Sequence, residues 1–217
     1  MTNQFALHAV KIASKSSPNL YLKAIPGHFA TNHSHINYYL DMTTLKTRQS
    51  EAALAAKSFV GKYINNTVVD TIVCMDGTEI IGAYLAEELT RAGLHSMNSH
   101  ETIYVVSPEY NSNGQMIFRD NIQPMITNKH IILLLASATT GKTILRCLEC
   151  INYYRGHVEG VSAIFSAVDM INDINVDCIF HASDIPNYTT YDYTECPFCK
   201  NNQKLDALVN SYGYSKI

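Results

Sequence analysis

The chain has 217 residues and a formal net charge of -3; 47% of it is hydrophobic and 16% charged. That length supports one domain with a sizeable core, and that balance excludes an intrinsically disordered chain. The charge gives no footing for nucleic acid or an anionic membrane, and no apolar run approaches the roughly 20 residues of a membrane span.

The predicted elements run as follows. Between Met1 and Ser17 the apolar residues Phe5, Ala6, Ala9, Ile12 and Ala13 fall at helical spacing, with no signal-peptide core, so a cytoplasmic protein is expected. The sequons at Asn32 and Asn65 are accordingly read as chance matches. An alanine-rich helix is predicted over 50–62, a buried strand over 69–75, and a helix over 79–91 that stops before Gly93. A strand over 102–106 leads into a long polar loop, 107–120, with Pro108, Asn111, Asn113 and Gly114. Strand 130–135 then feeds helix 142–154, and strands follow at 160–165 and 177–180. Strands alternating with helices of this length predict a parallel sheet covered on both faces, with ligands at the C-terminal strand ends. Residues 1–45 and 183–217 do not follow the alternation and are read as additions to a core spanning 46–182.

The segment with most chemistry is His130 to Thr143. Its apolar run enters a small, hydroxyl-rich turn, Ser137-Ala138-Thr139-Thr140-Gly141-Lys142, and Ile144, Leu145 and Leu148 continue at helical spacing. Backbone N–H groups and hydroxyls at such a junction suit a phosphate. Ala136 to Thr143 also fits a P-loop except for its first glycine, so a nucleotide hydrolase is a third-ranked reading. Asp76, Gly77, Thr78 and Glu79 follow the 69–75 strand as a diphosphate- or metal-facing loop, or as carboxylates beginning a helix.

Of six cysteines, Cys147 and Cys150 fall within a helix and are read as core thiols. Cys196-Pro197-Phe198-Cys199 has the shape of half a zinc site; Cys178 or His181 would supply the remainder. His28, His33 and His35 lie on a turn and an edge strand and are read as structural or ligand-contacting histidines. Of Tyr38 and Tyr39, one is expected to pack inward and the other to line a pocket or a dimer contact.

Four segments in order resemble the orotate phosphoribosyltransferases, a type I phosphoribosyltransferase family: Pro26 to Asp41, Cys74 to Glu87, His130 to Thr143, and Ile185 to Lys200. The resemblance implies an α/β fold with a central parallel sheet, helices on both faces and a small hood built from the termini. It also implies a homodimer, magnesium, and transfer of ribose 5-phosphate from phosphoribosyl diphosphate (PRPP) to a pyrimidine base. The family carries an acidic pair for the ribose hydroxyls where this chain has Leu135 and Ala136. The family's mobile loop brings a lysine and arginines to the diphosphate; Arg119 is the only cation of 107–120 here. Thr78-Glu79 replace a glycine pair, and Ser166-Ala167 stand where an arginine would meet orotate. A charge-assisted hydrogen bond is worth about 1.5–3 kcal/mol, so these losses together remove ordinary catalysis without removing a phosphate site. Two functions follow: a transferase with altered sugar and base contacts, or a non-catalytic binding or regulatory protein that keeps a ribose 5-phosphate, PRPP or nucleotide site. The missing acidic pair favours the second.

Overall fold

The computed structural model describes residues 8–15, 17–91, 96–99 and 101–217. Its core sheet is built from β4 (Thr71–Cys74), β5 (Tyr104–Val106), β8 (His130–Ala138), β9 (His157–Ser166), β10 (Met170–Ile171) and β11 (Ile174–His181), in the order β10-β11-β9-β8-β4-β5. All neighbours pair in parallel except β10, which forms a hairpin with β11. Chain order reverses direction at β4, which has β5 on one side and β8 on the other. The crevice beyond the C-terminal ends of β4 and β8 is therefore the topological switch point, where open α/β sheets bind ligands.

Strand β8 shows why the sheet is covered twice. Ile132, Leu134 and Ala136 face one cluster with Phe59 and Tyr63 of α2 (Gln49–Tyr63) and Leu85 and Leu89 of α3 (Glu79–Arg91). Ile131, Leu133 and Leu135 face a second cluster with Ile144, Cys147 and Ile151 of α4 (Lys142–Tyr153). A strand buried on both faces reads as a continuous apolar run, and each such Leu contributes about 1.5–3 kcal/mol by leaving water. Tyr63 reaches across from α2, and its hydroxyl meets that of Ser162 on β9 at 2.7 Å. Gly160 leaves the room, since a Cβ there would lie 2.6 Å from the Tyr63 ring.

The second sheet joins both chain ends. Strands β2 (Tyr21–Ala30) and β3 (His35–Asp41) form a hairpin; β12 (Thr190–Tyr191) adds to β3, and β13 (Ala207–Asn210) lies parallel to β2 and pairs with β14 (Gly213–Lys216). Short α1 (Thr43–Thr47) links this hood to α2, and α5 (Pro197–Lys200) precedes β13. The pairing of β2 and β3 shifts register between Pro26 and Phe29. Proline lacks a ladder donor, and a Cβ at Gly27 would meet the Asp206 carboxylate at 2.7 Å, so this is a bulge that the sequence demands.

Three expectations are corrected. Residues Val10–Ala13 form strand β1 on β2 rather than part of a helix; Phe5 and Ala6 lie outside the described residues. The exposed edge of β2 supplies ladder partners that helical spacing could not reveal. Residues 107–120 are not an open loop but carry a hairpin of β6 (Glu109–Tyr110) and β7 (Met116–Ile117), closed at Gly114 with φ +73°. Strand β8 runs three residues past its predicted end, to Ala138. Among the described residues no helix is long and apolar enough to cross a membrane.

Candidate functional site

A cleft of about 200 Å³ opens at the switch point, with Ser137 to Ile144 on one wall and Thr31, Asn32, His33, Tyr39, Asn210 and Ser211 of the hood on the other. The segment expected to cradle phosphate divides in two. Ser137 and Ala138 belong to β8 and pair with Phe165 and Ser166, so Thr139, Thr140 and Gly141 alone form the turn. Gly141 has φ +73°, and a Cβ on it would meet Ile171 Cδ1 at 2.3 Å, so both backbone shape and space require glycine. The first bond inside α4 runs from Leu145 N–H to Gly141 C=O at 3.0 Å, which leaves the N–H groups of Lys142, Thr143 and Ile144 without partners inside the helix. No side chain caps this terminus and its first turn holds no acid. It holds Lys142, which lines the cleft and also lies within electrostatic reach of the Asp192 carboxylate; positive charge is disfavoured at a helix N-terminus. The P-loop reading fails here, because the backbone that would wrap a phosphate is paired in the sheet through Ala138.

Asp76 closes the end of β4 in a left-handed conformation, φ 60°. Burial pushes its carboxyl up, against the pull of the Lys46 ammonium, the Ser211 hydroxyl and the Ala136 N–H. Lys46, on α1, donates to the Asp76 carbonyl at 2.7 Å and the Ser211 carbonyl at 2.6 Å. Burial lowers its pKa while Asp76, Glu79 and Asp41 raise it. Lys46 thus ties core, hood and tail from behind two residues that line the cleft, Asp76 and Ser211. Sequence reasoning missed it, and an isolated lysine between Leu45 and Thr47 gives no signal for finding it. Tyr39 packs edge-on against Tyr214, and burial pushes its hydroxyl up to about 12. Tyr39 is the tyrosine that lines the cleft, while Tyr38 packs on the α2–α3 cluster.

The remaining expected positions lie as follows. Leu135 is fully buried against α4 and Ala136 against α2 and α3, so neither side faces a sugar. Thr78 is buried and donates to the Met75 and Leu134 carbonyls, a strut between strands rather than a ligand contact. Gly77, φ +78°, completes that turn, and exposed Glu79 accepts from Ser107. Arg119 pairs with Glu109 at 2.8 Å on the β6–β7 hairpin, which docks on α4 through Cys150 Sγ and the Met116 carbonyl. Ser166 turns its hydroxyl to the Val168 carbonyl at 2.6 Å, and Ala167 packs on the core. Cys147 and Cys150 are buried, and burial raises both thiols, Cys150 to about 11.

Cys196 and Cys199 do not meet Cys178 or His181, as the sequence led us to expect. Cys178 pairs along β11 with Ala163, and His181 Nε2 lies 3.1 Å from Asp169. The two tail cysteines instead meet His28 and His35, while His33 goes to the cleft. The three histidines therefore divide between two places, because the β2 bulge and the turn before β3 send their side chains apart.

No protein-family model matches this sequence, and no curated protein matches it significantly. Solved structures do. Adenine phosphoribosyltransferase from Trypanosoma brucei, in complex with AMP, pyrophosphate and ribose-5-phosphate, superposes with a TM-score of 0.52 at 11% identity, over 85% of this chain and 80% of that one. Orotate phosphoribosyltransferase from Mycobacterium tuberculosis H37Rv gives 0.48 at 13% identity, over 75% of this chain and 91% of that one. UMP synthase from Leishmania donovani gives 0.49 at 13% identity, over 78% of this chain and 33% of that larger one. The chain has the type I phosphoribosyltransferase fold, a parallel α/β core under a hood, and the likeness establishes the fold alone.

Proposed function

We propose that this protein binds a phosphate monoester, ribose 5-phosphate or a nucleoside monophosphate, at Thr139–Thr143, and does not transfer the phosphoribosyl group at an enzymatic rate. The observation that carries the reading is the uncapped start of α4, with Lys142 on it, opening into a cleft roofed by the hood. A phosphate there accepts from the orphan N–H groups and gains the Lys142 ammonium at the cleft wall. The T. brucei protein of the same fold was solved with AMP and ribose-5-phosphate, which supports the ligand class.

What the cleft lacks argues against transfer. Diphosphate departure leaves oxocarbenium-like charge on the sugar, and stabilising it needs preorganised groups aimed at the reacting centre. Leu135 and Ala136 offer none, and Arg119 is paired on its own hairpin. Nor do the residues fit the magnesium that the fold family implies. Among the described residues Asp76 is the one carboxylate lining the cleft, and it already sits beside Lys46 with Ser211 and the Ala136 N–H on it. Magnesium wants one or two free carboxylates together with substrate phosphates.

Calorimetry with ribose 5-phosphate and nucleoside monophosphates tests the binding. Lys142→Glu should weaken it at least tenfold, about 1.4 kcal/mol, and Thr140→Val should also weaken it. Equal affinity in both variants, or no binding by the wild type, sinks the phosphate site. A diphosphate-release assay over orotate, uracil and the purines should stay at background; sustained release near roughly 1 per second would sink the non-catalytic reading.

A further inference from the structure

A second site lies in the hood, away from the cleft. The ring nitrogens of His28 and His35 and the sulfurs of Cys196 and Cys199 all fall within 4.8 Å of one another. His28 Nε2 stands 3.0 Å from His35 Nδ1, 3.4 Å from Cys196 Sγ and 3.7 Å from Cys199 Sγ, and Cys199 Sγ is 3.3 Å from His35 Nδ1. A tetrahedral zinc ion with Zn–N near 2.05 Å and Zn–S near 2.3 Å sets its ligands about 3.3 Å apart for N–N and about 3.5 Å for N–S. The four separations named lie within about 0.3 Å of those spacings, and the remaining two pairs are within 4.8 Å.

Hydrogen bonding among the four groups accounts for the cluster poorly. His28 Nδ1 lies 3.0 Å from the Gln203 carbonyl, which can only accept, so the ring proton sits on Nδ1 and Nε2 presents a bare lone pair. One lone pair cannot serve three neighbours. A metal can use all four, and a backbone carbonyl on the far nitrogen is the usual way a metal-binding imidazole is oriented. The backbone supports the same ring: His28 N–H donates to the Asp206 carboxylate at 2.8 Å, and Asp206 N–H returns to the His28 carbonyl at 2.8 Å. Phe198 lies on the His28 ring, centroids 5.0 Å apart, and His28 and Cys196 are fully buried, so water is excluded on one side. Two thiolates cancel a 2+ charge, which is what burial requires. Four protein ligands leave no open coordination position, so the site is structural.

We infer that His28, His35, Cys196 and Cys199 form a tetrahedral zinc site that clasps the C-terminal tail onto the β2–β3 hairpin. Binding replaces two thiol S–H bonds by two Zn–S bonds and releases two protons, with no change of oxidation state. The clasp lies between Tyr191 and Ala207 in sequence, so it anchors both tail strands, β12 and β13, to opposite edges of the hairpin.

The test measures metal by mass spectrometry on the full-length protein purified without chelator. About one zinc per chain is expected, and cobalt in its place should give the d–d absorption of a tetrahedral S2N2 site. Cys199→Ser and His35→Gln, both at less buried ligands, should each lose most of the metal, while Cys178→Ser should retain it. Chelation should raise proteolytic cleavage within 182–217 by an order of magnitude and leave the core intact. The site is overturned if the wild type carries no metal and takes up neither zinc nor cobalt. It is also overturned if Cys196 and Cys199 prove to be joined as a disulfide, or if Cys178→Ser loses as much metal as Cys199→Ser. The cobalt titration needs no variant, so a variant that fails to fold does not remove the test.

Discussion

At the scale of single residues, the proposed lack of phosphoribosyl transfer turns on position 135. An acid placed there would not reach a sugar, because Leu135 is fully buried in the core and does not line the cleft. A carboxyl buried there must be neutral, and neutralising a group of pKa near 4 at pH 7 costs about 4 kcal/mol. Leu135→Glu should therefore destabilise the protein by at least that much in urea unfolding at pH 7. The deficit should shrink toward pH 4, where the unfolded chain is protonated too. Asp76 carries a second pH dependence. Its folded pKa is raised above the unfolded value, so its contribution is fully present below the unfolded pKa and lost as pH rises through the folded one. Stability of Asp76→Asn relative to the wild type should thus improve as pH climbs from about 4 to 7; a difference in urea midpoint that is flat with pH would refute this.

At the scale of elements, packing between α2 and β9 rests on one polar contact inside an apolar layer. Tyr63→Phe removes the partner of the Ser162 hydroxyl while keeping the ring that fills the space over Gly160. We expect a loss of about 1–3 kcal/mol by chemical denaturation, with ligand binding unchanged. The β6–β7 hairpin shows how an element escapes sequence reading. Two-residue strands carry too little alternation to register, and Asn111, Asn113 and Gly114 announce a turn without saying what it joins. By contrast α3 was legible to its ends, 79–91, because thirteen residues of helical pattern stop just before a glycine.

For the whole molecule, the question is what holds hood and core together around the cleft. Lys46 spans all three parts, joining the end of β4 to Ser211 in the tail. Lys46→Met leaves two carbonyls without their charged donor and should cost about 2–4 kcal/mol. It should also speed proteolysis near Ser211, a change that an ordinary surface lysine would not produce.

Periodicity and local chemistry along the chain determined the parallel α/β core and the strand–turn–helix whose turn ends at Gly141, while the resemblance to the orotate phosphoribosyltransferases implied the loss of an acidic pair at 135 and 136. These are properties of neighbours within a few residues, and the alternation of β8 between two apolar clusters is written in a single run of isoleucine and leucine. Only the tertiary structure decided which histidines meet which cysteines. Cys196 and His28 are 168 positions apart. They meet because the β2 bulge turns His28 inward while β13 lies parallel to β2 and draws the tail across the hood. Cys178 and His181 are nearer in sequence, but the sheet holds them on β11. Sequence distance says which ligands are easy to reach; strand pairing fixes which ones are close.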